Sequence, residues 1–142
     1  KVINTLIEIT AKGGCLLLGV GPTAKGLIEQ PVAERLEKVG EWLEVNGEGI
    51  YNTRTTPGYK SGNTWFTAGK DKKRLYAIYA LPENEQLPPT IEWEGNPPAK
   101  GARMILLQNN KPVKWKSGSN KTTVYLPKNL EQESLVLSFN IN

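Results

Sequence analysis

The sequence predicts a mainly β protein, an antiparallel β-sandwich preceded by a helix-strand-helix unit. Three observations carry this reading. The chain changes character near residue 50: helical and buried-strand patterns precede it, and only short strand patterns follow. An apolar run without polar alternation, Leu16-Leu17-Leu18-Gly19-Val20, lies between two helical patterns. Beyond residue 56, clusters of Pro, Gly, Asn and Lys recur at the spacing that separates the strands of a sandwich.

Val2, Leu6 and Ile9, with Ile3 and Ile7 beside them, recur at helix spacing up to Lys12, where Gly13-Gly14 supplies a left-handed stop. Leu16 to Val20 then suits a strand covered on both faces, as in a parallel sheet, and Gly21-Pro22 ends it. A second helix is expected over 31–46. Pro31 has the fixed φ of a first turn, Gly47 closes the segment, and Val32, Leu36, Val39 and Leu43 form one face expected to pack away from solvent. Helix, buried strand, helix is the repeat of an α/β protein. Its single strand has no parallel partner, so the rest of its sheet is expected in sequence outside this chain. Residues 1–9 lack the plan of a signal peptide and no Met opens them, so the chain is expected to begin inside a longer protein.

From Tyr51 onward, strands are expected at 63–68, 74–81, 90–95, 102–107, 112–116, 122–126 and 134–140. Both alternating sets of Leu75 to Leu81 are largely apolar, which predicts a central strand with little solvent on either face. Ile91 and Trp93 face one way while Glu92 and Glu94 face the other, which predicts a strand with one wet side. The expected domain division is therefore 1–50 and 51–142.

Composition excludes several kinds of chemistry. Histidine is absent and Cys15 is the single cysteine, which removes Ser-His-Asp and Cys-His catalysis, an internal disulfide and the usual zinc sites. Cys15, set in an apolar run, is expected to be a buried and inert thiol. Gly19-Val20-Gly21 lacks the third glycine of a dinucleotide fingerprint and the Lys-Ser/Thr of a phosphate loop, so no cofactor is expected. The net charge of +4 is scattered, and its densest cluster, Lys70-Asp71-Lys72-Lys73-Arg74, reads as a solvated hairpin turn. No apolar run approaches the ~20 residues of a membrane helix, and neither nucleic acid nor a membrane is expected as a partner. Asn120-Lys121-Thr122 has the form of a glycosylation acceptor and argues for a surface turn.

Glu92 and Glu94 form a carboxylate pair on one strand face, about 6.5–7 Å apart by strand geometry, a spacing an inverting glycosidase could use. They flank an inward Trp93 on a wet face with no pocket to keep one of them protonated, so solvation is the expected role. Trp65, Trp93, Trp115, Tyr59 and Tyr125 could offer flat platforms for sugar rings, but their alternation with polar neighbours suits inward core positions. Trp115 and Tyr59 remain weak candidates for substrate binding. No catalytic residue and no metal ligand is assigned.

The stretch Gly13-Gly14-Cys15-Leu16-Leu17-Leu18-Gly19-Val20-Gly21-Pro22-Thr23-Ala24-Lys25-Gly26 resembles the last barrel strand and following loop of glycoside hydrolase family 29 α-L-fucosidases. Glu41-Trp42-Leu43-Glu44-Val45-Asn46-Gly47-Glu48-Gly49-Ile50-Tyr51-Asn52-Thr53-Arg54 is similar to the final barrel helix of that family and its exit into the C-terminal domain. Asn63-Thr64-Trp65-Phe66-Thr67 and Leu75 to Ala80 resemble strands of the C-terminal sandwich of bacterial members. The resemblance implies that residues 1–50 are the end of a (β/α)8 barrel. It also implies a retaining exo-hydrolase of terminal α-L-fucose, whose Asp nucleophile and acid/base carboxylate both lie upstream of this chain. The implied partners are the rest of the catalytic barrel and, through the whole enzyme, fucosylated glycans, in a periplasmic or secreted setting; the isolated chain could also self-associate. A carbohydrate-binding module that targets the enzyme to glycans is the alternative. Cys15 and Gly19 stand where the family usually has Asn, and Lys25 where it has Asp, which alters the polar lining expected at that strand's end.

Overall fold

The computed structural model describes residues 1–141. Two helices come first, α1 (Val2–Ala11) and α2 (Gln30–Asn46), and a 3-10 turn (Gly47–Gly49) extends the second. Ten strands follow: β1 (Thr53–Arg54), β2 (Lys60–Ser61), β3 (Thr64–Gly69), β4 (Arg74–Tyr79), β5 (Thr90–Glu94), β6 (Ile105–Leu106), β7 (Lys111–Pro112), β8 (Lys114–Gly118), β9 (Lys121–Tyr125) and β10 (Leu135–Asn140). They form two antiparallel sheets. The larger runs β1-β3-β4-β10-β6-β7, with β2 also paired to β3, and the smaller runs β5-β9-β8.

The two-residue period of the strands sorts the core into two clusters. Phe66 and Ala68 of β3, Leu75 and Ala77 of β4, and Leu135, Leu137 and Phe139 of β10 meet Ile91, Trp93 and Val124 of the small sheet. Trp93 lies nearly parallel to Phe139, with ring centres 5.8 Å apart, and edge-on to Phe66 at 5.7 Å. The alternate residues of the same strands, Trp65, Tyr76, Ile78 and Val136, meet Ile7 and Ala11 of α1 and Trp42 of α2. β4 lies between β3 and β10 and is covered on both faces, as its twofold apolar pattern predicts.

Side-chain hydrogen bonds tie the helices to this sheet. Trp42 Nε1 donates to the Ser134 carbonyl at 2.7 Å, Ser134 Oγ donates to Asn4 Oδ1 at 2.7 Å, and Asn4 Nδ2 donates to the Leu81 carbonyl at 2.8 Å. Thr67 Oγ1 donates to the carbonyl of Gly49 at 2.7 Å, satisfying the turn that ends α2. At the end of α1, Gly13 takes φ +83° and donates to the Thr10 carbonyl while Gly14 donates to Ile9, the Schellman arrangement expected of Gly13-Gly14.

Four expectations are corrected. Leu16 to Val20 is not a strand in this chain: no neighbouring strand is there to accept its backbone bonds, and Leu17 is 95% exposed. Cys15, at the head of that segment, is exposed rather than buried for the same reason. Of the expected face of α2, Val32, Leu36, Val39 and Leu43 are only half-buried, because α2 meets the sheet at its C-terminal end, through Trp42 with Leu43 packed beside it. Finally, the strand expected at 112–116 is divided into β7 and β8 at Val113, whose amide turns to the Met104 carbonyl, and the short β1 and β2 carry no periodic signal.

Candidate functional site

A groove of about 920 Å³ opens where the end of α2 meets the β3–β4 hairpin, and charged and polar side chains from both line it. The 3-10 turn presents Glu48, and β4 contributes the exposed Arg74 and the buried Tyr76. Tyr76 Oη donates to Glu48 Oε1 at 2.8 Å, and Arg74 Nη1 donates to the same oxygen at 3.2 Å. Burial, and then the bond to the Glu48 carboxylate, pushes the Tyr76 phenol up to about 12. The hairpin turn supplies Lys70, Asp71 and Lys73, with Lys72 at φ +55° and Asp71 Oδ1 accepting the Lys73 amide at 2.9 Å. Tyr51 lines the same groove and is 59% exposed.

The Glu48 carboxylate is held by a phenol and a guanidinium, both on one oxygen. Sequence reasoning missed the cluster because Glu48 and Tyr76 are 28 residues apart and Tyr76 reads as a core residue. The one available signal was Glu48, inside the Asn46-Gly47-Glu48 series.

The carboxylates and aromatics singled out from sequence lie elsewhere. Glu92 Oε2 pairs with Lys121 at 2.6 Å and Glu92 Oε1 accepts from Thr123 at 3.3 Å; its pKa is lowered, first by the bond to Lys121. Glu94 is exposed beside it on β5. Tyr59 stacks on Trp65, with ring centres 6.2 Å apart, and Lys60 Nζ lies 4.3 Å from the centre of the Trp65 ring. Trp115, on the far sheet, packs against the main core and donates Nε1 to the Ala102 carbonyl at 3.1 Å. The shallow groove beside Tyr59, lined by Ala11, Lys12, Thr55, Thr56 and Pro57, does not include Trp115, so the two candidates do not form one site. Among the described residues no group of His, Cys, Asp and Glu is arranged to hold a metal ion. Gly19 faces open space, and a side chain there would meet nothing in this chain.

The family model described as Alpha-L-fucosidase matches residues 1–48. The chain is 36% identical over 137 residues to the plasma alpha-L-fucosidase of Homo sapiens, covering 89% of this chain and 28% of that protein. Its structure superposes with a TM-score of 0.80 on the Thermotoga maritima alpha-fucosidase solved in complex with a mechanism-based inhibitor, at 27% identity, covering 99% of this chain and 33% of that one. It superposes equally, at 0.80 and 27% identity, on alpha-L-fucosidase isoenzyme 1 of Paenibacillus thiaminolyticus, covering 34% of that chain. The chain thus spans about a third or less of the length of the relatives it matches. The likeness extends through both the helices and the sandwich, and the chain belongs to the alpha-L-fucosidase family, corresponding to the C-terminal portion of the full enzyme.

Proposed function

We propose that the chain is the C-terminal part of a retaining exo-α-L-fucosidase of bacterial type, which hydrolyses terminal α-L-fucosyl linkages. In this reading residues 1–50 complete the catalytic barrel and residues 51–142 form an accessory sandwich that supports it and breaks no bond. The observation that carries the proposal is the contrast between the clamped helices and the segment between them. Trp42 and Asn4 fix α2 and α1 to the sandwich, while residues 14–29 run free of strand or helix pairing with Leu17, Leu18, Leu27 and Ile28 exposed. An apolar segment with unpaired backbone suits a strand whose neighbours belong to the rest of the barrel. Retention requires two carboxyl groups about 5 Å apart flanking the glycosidic bond. Glu92 is tied to Lys121, and Glu94 points the same way from the same strand, so upstream residues would supply both groups.

The test is the stereochemistry of the longer enzyme. Proton NMR of an early reaction on an aryl α-L-fucoside should show α-L-fucose forming first; β-L-fucose first would overturn the retaining assignment. A targeting role is a second reading, favoured by the exposed Tyr59 ring stacked on Trp65. Binding to a glycan array that Tyr59→Ala abolishes would establish it.

A further inference from the structure

We propose that the groove between the end of α2 and the β3–β4 hairpin binds an acid-bearing oligosaccharide, with a sugar ring on Tyr51 and its sulfate or carboxylate group against Lys70 and Lys73. Three features of the groove lead there. The first is a fixed aromatic platform. The Tyr51 ring lies against Gly47 so closely that a Cβ at position 47 would sit 2.8 Å from Tyr51 Cε2, and the Tyr51 amide donates to the Gly47 carbonyl at 2.8 Å. One side of the ring is thus backed by main chain while the residue stays 59% exposed, which leaves apolar ring surface open to a ligand.

The second feature is charge. The groove is lined by three cations, Lys70, Lys73 and Arg74, and two carboxylates, Glu48 and Asp71. Arg74 is paired with Glu48, and Asp71 is engaged by the backbone of its own turn. Neither Lys70 nor Lys73 has a carboxylate within 4.0 Å among the described residues, so both are offered to an anionic group of the ligand. The third feature is hydrogen-bonding capacity: the side chains of Asn52 and Asn140 border the same space and can both donate and accept, as sugar hydroxyls require. A simple anion would use the lysines and leave Tyr51 idle, whereas a neutral sugar would use Tyr51 and leave the lysines unmatched. The choice of a sugar as the flat partner rests on the fucosidase reading above; the platform and the charge do not.

The probes are a heparin-derived tetrasaccharide, its desulfated and carboxyl-reduced counterpart, and inorganic sulfate, each titrated into the 142-residue chain by calorimetry at physiological salt. The tetrasaccharide should bind at least about tenfold more tightly than either of the others. Tyr51→Ala should weaken it by about two- to tenfold, the worth of an aromatic contact. Lys70→Gln with Lys73→Gln should remove the preference over the neutral counterpart. Gly47→Ala, which displaces the ring without deleting it, should act like Tyr51→Ala, and circular dichroism would confirm that each variant is folded. Absence of binding would overturn the proposal. So would tetrasaccharide binding indifferent to Tyr51→Ala, which is plain attraction of a polyanion to a basic chain, or equal binding of inorganic sulfate or of the neutral counterpart. Fucoside hydrolysis by the longer enzyme is independent of all these outcomes, so failure here and failure of the fucosidase reading are separate results.

Discussion

Trp42 lies off the aliphatic stripe that the sequence offers on α2, yet it is 2% exposed and its indole reaches across 92 residues to the Ser134 carbonyl. Replacing it by Ala should cost about 3–5 kcal/mol in a denaturant titration, from lost burial and a stranded carbonyl. Two glycines should respond in opposite directions. A Cβ at Gly49 would stand 2.8 Å from Val136 Cγ1, so Gly49→Ala should destabilise by about 1–3 kcal/mol. A Cβ at Gly40 meets nothing, and Gly40→Ala in the middle of α2 should stabilise by roughly 0.5–1 kcal/mol. Tyr76 gives a pH signature. Its folded phenol, pushed up to about 12, holds its proton more tightly than the unfolded phenol at about 10. Its contribution is therefore complete below about pH 10 and is lost as pH rises toward 12. Between those values the melting temperature should fall more steeply for the natural chain than for Tyr76→Phe. At this scale the sequence read well wherever one face of one strand decided the outcome, as with Ile91 and Trp93 inside and Glu92 and Glu94 outside. It failed for Cys15, which the apolar run around it does not bury, and for the Glu48–Tyr76 bond, which joins the turn after α2 to a strand 28 residues away.

Among the elements, the long strands were legible because β3, β4 and β10 are runs rich in apolar and aromatic residues, buried almost throughout, and α1 because its apolar spacing ends on two glycines. β1, β2 and β7 are two residues each, too short for any period, and exist because longer neighbours pair with them or, for β7, with β6. Leu16 to Val20 has the composition of a strand without the means to be one, since a strand is defined by its partner's hydrogen bonds. Hydrogen exchange on the 142-residue chain should therefore find fast amides at residues 16–20 beside slow ones in β4 and β10. Slow exchange there should appear only with dimerisation through the exposed leucines; a strict monomer with protected amides at 16–20 would contradict the open-segment account.

The whole molecule is a three-layer stack of helices, large sheet and small sheet, in which the large sheet belongs equally to the sandwich core and to the helix interface. α1 and α2 are anchored to that shared sheet by buried Ile7, Ala11 and Trp42 and by the Asn4–Ser134–Trp42 hydrogen bonds, which on the proposed account is how the sandwich supports the barrel. On the proposed account the chemistry lies upstream, so this chain carries support without catalysis. The most direct measurement is chromophore release from an aryl α-L-fucoside, assayed for the purified 142-residue chain and for the longer enzyme containing it. The account predicts no turnover by the chain above a heat-killed control and robust turnover by the longer enzyme, unchanged by Glu92→Gln. Turnover by the 142-residue chain that Glu92→Gln abolishes would contradict it and place the catalytic carboxylates in the sandwich.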